Sequence, residues 1–304
     1  MHHAEKQTQR LSFTQMNTSI AMLAEHEEEA WQTDVIDWFR EFERICSRFL
    51  PTSSLTLFNE TKSNVPLIVH PILYDTIQTA VAWANKTDFY FNPFMLEQIE
   101  QLGYNESFQE GWKKHGGATK QSTVQQNPLL FHDHIKAIEK RRPVQMDLGG
   151  IGKGVSVDKA AQLMKNAAIS RGLVDAGGDM CMWSNDAPWK IGIRHPYDES
   201  RTLFSVHIQR GAIATSSKWH RKWQQNEQWQ HHLLNGHTGL PSETDVVQAT
   251  VIARNATTAD VLAKLLTILP AEQVQKYDSD FGYAIIKKDG TVTINKQMRS
   301  FIAI

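Results

Sequence analysis

The chain has 304 residues, and its 32 Lys and Arg against 33 Asp and Glu leave a formal net charge of -1. That balance excludes a chain built as a whole to grip nucleic acid, which needs clustered excess Lys and Arg. A hydrophobic content of 41% with 17 Gly and 10 Pro excludes a disordered or fibrous chain, and two cysteines exclude a disulfide scaffold or a multi-cysteine metal site.

Residues 1–15 are polar and carry no apolar signal core or lipid-accepting cysteine, so they read as an N-terminal tail before one domain at 16–304. Residues 27–50 repeat apolar side chains every three or four positions (Trp31, Val35, Trp38, Phe39, Phe42, Ile45, Phe49), which predicts a helix stopped by Pro51. Further helices are expected over 71–85 and from Pro93, and 111–127 reads as a polar loop. The second half alternates. A short strand is expected at 144–148, then a helix capped by Asp158 and closed by Gly172. Strands are expected at 173–175, 180–183, 189–194, 203–208, 212–215 and 247–253. A helix from Thr257 or Thr258 to Pro270 and a hairpin around Asp289-Gly290 complete the chain. Helices first, then strands with interposed helices, predict an α+β domain. Cys46 and Cys181 sit in apolar surroundings and read as buried free thiols. No apolar run reaches the roughly 18 residues of a membrane span, so the expectation is a cytoplasmic protein, or a membrane-associated or extracytoplasmic one if a signal segment has been removed.

Five segments carry chemistry. Asp147 to Gly154 holds Gly149, Gly150, Gly152, Gly154 and Lys153 between strand and helix, a place where backbone N–H groups and the helix dipole favour anions. It matches neither the Walker pattern nor the dinucleotide fingerprint, and a tight turn explains it equally well. Asp175 to Asp179 places Gly177 and Gly178 between strands, where a hairpin turn is the plain reading. Thr215, Ser216 and Ser217, followed by Lys218, Trp219, His220 and Arg221, put hydroxyls, cations and an aromatic plane at a strand end. His232, ahead of an Asn235-to-Pro241 turn, is a candidate general base. His231, His232 and His237 match no familiar zinc spacing. Asp260 stands in the first turn of its helix, where a carboxylate complements the dipole.

In order along the chain, Asp147-Leu148-Gly149-Gly150-Ile151-x-Lys153-Gly154, Ala176-Gly177-Gly178-Asp179, Ala214-Thr215-Ser216, His232 with Thr238-Gly239-x-Pro241, and Ala259-Asp260-x-Leu262-Ala263 resemble the FAD:protein FMN transferase (ApbE) family. Met16-Asn17-Thr18, Ser47-Arg48-Phe49 to Asn59, Phe91-Asn92-Pro93 and Leu102-Gly103-Tyr104 extend the resemblance over residues 16–304. The resemblance implies a single α+β domain with mixed or antiparallel sheets and flanking helices. It implies an enzyme that transfers FMN from FAD to a Thr or Ser hydroxyl of a target protein and releases AMP with magnesium. FAD is then a substrate and the acceptor protein an unidentified partner. By the same resemblance, Met16, Gly149, Gly150, Lys153, Asp158, Ala176, Gly177, Gly178, Asp179, Thr215, Ser216 and Ser217 contact or shape the FAD site. His232 is its base, and Asp260 with the carbonyl of Gly152 holds the magnesium ion. The chain departs from the family pattern at the chemistry. Lys264 replaces the Thr that supplies a further metal oxygen, and Asn235-Gly236 replaces Asp-Pro. Gly152 stands for Ala, and Ser217 and Trp219 for Gly and Tyr. The alternatives are an FAD-binding protein with weak or no catalysis, or an FAD pyrophosphatase.

Overall fold

Helix α1 (Ala30–Cys46) forms because its apolar stripe (Trp31, Val35, Phe39, Phe42, Ile45) meets the core on one face. It ends at Cys46, where Ser47 turns extended, several residues before the expected stop at Pro51. The short helix α2 (Ser54–Glu60), not foreseen, starts where the Ser53 hydroxyl accepts the Thr56 N–H. Helix α3 (Pro71–Lys86) carries proline at its first position, where the missing N–H costs nothing. Helix α4 (Leu96–Gln101) follows, starting three residues after Pro93. The computed structural model describes residues 8–26, 29–107, 113–114, 123–220, 222–225 and 228–302.

The framework is an eight-stranded antiparallel sheet. Its order across the sheet is Thr8–Gln15, Thr18–Glu25, Arg171–Ala176, Asp179–Ser184, Arg210–Ser217, Val246–Ala253, Gly282–Lys287 and Val292–Ile294. Residues 8–15 are thus an edge strand and no tail, while residues 1–7 lie outside the described residues. The strand was hidden because an edge strand with one half-covered face needs few apolar residues; only Leu11 and Phe13 pack inward.

Side chains alternate across the sheet. Ala212 and Ala214 join the larger core beneath the helices, and Ile213 between them joins a smaller core on the opposite face. That second face is covered by a ribbon of Trp189–His195 with Asp198–Ile208 and by the C-terminal segment, where the His207 N–H donates to Phe301 O at 2.7 Å. A small sheet pairs Lys222–Gln225 with Gln228–His231 and, in parallel, with Lys113–Lys114. Of the expected loop at 111–127, residues 111–112 and 115–122 lie outside the described residues. The whole is α+β, as expected.

Two expectations in the second half are corrected. No strand forms at 144–148. Instead Asn59 clamps the extended chain, donating to Met146 O (2.9 Å) and accepting from Met146 N (2.8 Å). Helix α5 (Gly152–Asn166) begins inside the glycine run, six residues before Asp158, and ends at Ala167 and Ala168 rather than at Gly172. Gly172 is a strand residue packed under the Trp183 ring. Helix α6 (Ala256–Ile268) starts where the Asn255 side chain accepts the Thr258 N–H and stops before Pro270. Cys46 and Cys181 are buried thiols, pushed by burial up to about 12 and about 11.

Candidate active site

The ends of two hairpins, the glycine run and the start of α5 surround a cavity of about 580 Å³, within the usual range for small-molecule sites. Each wall has a local cause. Met16 and Asn17 are the two turn residues between the first strands, with φ of 55° and 51°. Two positive φ values give the turn whose twist suits a tight hairpin. Glu43 of α1 holds this turn, its Oε1 accepting the Met16 N–H at 3.0 Å and its other oxygen binding the Gln15 amide.

Beside it, Gly177 and Gly178 form the second two-residue turn, with φ of 65° and 96°. At Gly177 a Cβ would also collide with Thr18 Oγ1 of the neighbouring hairpin, so glycine is required twice over. Gly177 lines the cavity; Ala176, Gly178 and Asp179 support the turn from outside its lining.

The glycine run acts differently from the expected anion cradle. Its N–H groups are largely committed within the protein. Gly149 donates to Asp147 Oδ1 (2.8 Å), Gly152 to Leu148 O (2.7 Å) and Gly154 to Asp260 Oδ2 (3.3 Å). What glycine supplies is closeness. A Cβ on Gly154 would stand 2.7 Å from Thr257 Cα, so α5 and α6 meet there backbone to backbone. Gly149, Gly150, Gly152 and Lys153 all line the cavity.

Thr215, Ser216 and Ser217 arrive from the end of their strand and line the opposite side. Thr215 Oγ1 is 2.9 Å from Thr250 Oγ1 on the paired strand. Of the residues after them, His220 lines the cavity and Arg221 lies outside the described residues. His232 also reaches the cavity, on a loop pinned from both sides. Within the loop, Asn235 N donates to Leu240 O (2.8 Å) and Ser242 N to Leu233 O (3.0 Å). Across it, Asn92 Nδ2 donates to Gly236 O at 3.1 Å. The three histidines go separate ways. His231 is held at Ser242 O (3.2 Å) and His237 stacks on Tyr90 with centroids 3.9 Å apart.

Below the glycine run lie two buried carboxylates, each bound by a lysine. Lys153 binds Asp179 and Lys264 binds Asp260. The Asp179 and Asp260 side chains are each 2% exposed, against 20% for Lys153 and 13% for Lys264. The lysines therefore form the cavity side of the cluster and the carboxylates its buried side. Burial pushes the Asp179 carboxyl upward, the negative charge of Asp260 adds to this, and the two lysines pull it down.

This donor set does not suit the expected magnesium ion. Both Asp260 oxygens are engaged, Oδ1 by Lys264 and Oδ2 by the Gly154 N–H. An ammonium has no lone pair to give a metal that seeks oxygen ligands. Among the described residues no three His, Cys, Asp or Glu side chains gather as a ligand group.

Asp158 is not among the residues that line the cavity. From the middle of α5 its carboxylate accepts the Ala256 N–H (2.7 Å), the Thr257 N–H (2.9 Å) and the Thr257 hydroxyl (2.6 Å), capping α6. Conversely, Arg48, with no role expected from the sequence, lines the cavity. Its guanidinium is buried, donates to Tyr104 O at 2.7 Å and pairs with Asp147 at 3.4 Å and Glu100 at 3.7 Å. Its place in the Ser-Arg-Phe run was the available signal. Asn92, from the Phe91-Asn92-Pro93 run, and Arg194 line the cavity as well, and nothing local in the sequence pointed to Arg194.

Comparison with known proteins shows the family and the fold. The chain is 26% identical over 274 residues to the FAD:protein FMN transferase of Escherichia coli K12, covering 86% of this chain and 78% of that one. It is 25% identical to the FAD:protein FMN transferase of Treponema pallidum, over 79% and 71% of the two chains. The fold matches the ApbE protein of Thermotoga maritima with a TM-score of 0.87 at 22% identity, over 98% of this chain and 100% of that one. It also matches the flavin transferase ApbE of Vibrio cholerae with a TM-score of 0.79 at 20% identity, over 97% and 100%. The ApbE family model matches residues 15–285, and the chain belongs to the ApbE family.

Proposed function

We propose that this protein is an FAD:protein FMN transferase. The observation that carries the reading is the convergence on one cavity of the Met16 and Gly177 turns, the glycine run, the Thr215–Ser217 hydroxyls, Lys153 and His232. FAD is the substrate and a Thr or Ser side chain of another protein the acceptor.

In the reaction the acceptor hydroxyl oxygen attacks the phosphorus that carries the riboflavin. A new P–O ester bond forms, the anhydride P–O bond breaks, and AMP leaves with the bridging oxygen. The proton of the hydroxyl passes to the His232 imidazole and on to water; a positioned histidine suits this near neutral pH. Lys153 offsets the charge gathering on the diphosphate, and an ammonium in a partly buried wall does so more strongly than one in bulk water. Thr215, Ser216 and Ser217 supply hydroxyls to bind the substrate, and the two hairpin turns shape its walls.

The test is incubation with FAD and a Thr-containing flavin-acceptor domain, reading AMP release and the intact mass of the acceptor. AMP together with a flavinylated acceptor is the expected result. AMP with free FMN and an unmodified acceptor points to hydrolysis of FAD, and bound but intact FAD points to a flavin-binding protein without turnover. No helix among the described residues is long and apolar enough to cross a membrane.

A further inference from the structure

Lys264 lines the cavity from α6, with its stem laid along the glycine run. Its Cδ and Cε each stand 3.9 Å from where a Cβ on Gly150 would be. Four residues before it on the same helix, Asp260 holds its ammonium. The carboxylate is buried and the ammonium faces the cavity, so the pair is a dipole whose positive end points toward the cavity. Lys153 and Asp179 repeat the arrangement from α5 and its neighbouring turn. A divalent cation entering here would have to displace Lys264 from Asp260 and then sit beside the displaced ammonium. It would also find no oxygen donor in the Lys264 side chain. An ammonium, by contrast, carries three N–H donors, of which one suffices for Asp260.

We propose that Lys264, resting on Asp260, is a built-in cation that contacts the FAD diphosphate in place of a bound divalent metal. This protein then binds and cleaves FAD without magnesium. The proposal rests on the flavin-transferase reading above and adds to it which positive charge serves the diphosphate.

The deciding measurement is FAD affinity of the wild-type protein by calorimetry, in EDTA and in excess magnesium. The expected result is the same affinity in both, within about twofold, because no metal is needed to bring positive charge to the phosphates. Binding that weakens about tenfold or more in EDTA overturns the proposal and leaves the flavin reading intact. No binding in either buffer overturns both.

Lys264→Thr provides the second arm. It frees an Asp260 oxygen and adds a hydroxyl, so its FAD affinity is expected to fall about tenfold in EDTA and to recover with magnesium. Magnesium alone, without flavin, is expected to raise the melting temperature of Lys264→Thr and to leave that of the wild type unchanged. A folded variant whose FAD affinity in EDTA equals that of the wild type overturns the proposal. If the variant does not fold, the wild-type comparison decides alone.

Discussion

The carboxylate of Asp158, on α5, caps α6 by accepting the Ala256 and Thr257 N–H groups, while the carboxylate of Asp260, on α6, accepts the Gly154 N–H near the start of α5. The two helices are thus capped by each other's side chains. Each carboxylate lies where its partner helix has unsatisfied donors and a positive dipole end. The crossing is tight because Gly154 faces Thr257 without a Cβ between them. Lys264 and Lys153, the cations of the cavity wall, hang from these same two helices.

Asp158→Ala removes three hydrogen bonds from the start of α6 and is expected to cost roughly 2–3 kcal/mol of stability. Asp158→Asn keeps an acceptor and is expected to cost less. Urea denaturation of both variants measures the difference. Equal stability of wild type and Asp158→Ala would show that water caps α6 as well as the carboxylate does.

Gly154→Ala tests the crossing itself. The added methyl would stand 2.7 Å from Thr257 Cα and 2.9 Å from Ala256 O, both backbone atoms. The helices must separate, at a cost of roughly 1–3 kcal/mol, and the Asp260–Gly154 bond stretches with them. A lower melting temperature together with weaker FAD binding is expected. A variant as stable as the wild type would mean that the crossing has slack.

His232→Ala is expected to lower FMN transfer by about 100-fold or more, the usual scale of a lost general base. FAD affinity should change little, since the role assigned to His232 is toward the acceptor hydroxyl. Single-turnover transfer and calorimetry on the same preparation separate the two effects. Near-wild-type transfer would take His232 out of the mechanism.

His231 makes acid stability testable. Burial, and then the nearby Lys218 charge, push its imidazole down from 6.5 to about 4. Its Nδ1 is buried without a hydrogen-bond partner among the described residues. The folded pKa lies below the unfolded one, so the unfolded chain takes up the proton first as pH falls. Stability is therefore full above about 6.5 and declines toward about 4, by ~3 kcal/mol at most from this group. His231→Gln should flatten that decline in melting temperature between those pH values. An identical pH profile in the variant would exclude His231 as its source.

Much of the fold was legible because burial imposes its period on the residues that form it. The apolar spacing of α1 and α3 follows from one face meeting the core, the short apolar runs flanking Gly177-Gly178 from burial on both faces, and the final hairpin from its Asp289-Gly290 turn. The edge strand Thr8–Gln15 was not legible, since a half-covered strand carries almost no apolar signal. Nor was the true start of α5: glycines lower helix propensity, and only packing against α6 makes a helix begin at Gly152.

By itself the sequence determined the α+β class, the order of the site motifs and the residue types that meet at the cavity. Those are matters of local pattern. Tertiary structure decided what each group is paired with. It turned Asp158 from the cap of its own helix into the cap of the next. It brought the Gly154 N–H to the Asp260 carboxylate, and it turned the local Lys264–Asp260 pair toward the cavity. The Asp158 and Gly154 pairings join residues about a hundred positions apart, and a carboxylate or an N–H group carries no mark in the sequence of the distant partner that will satisfy it.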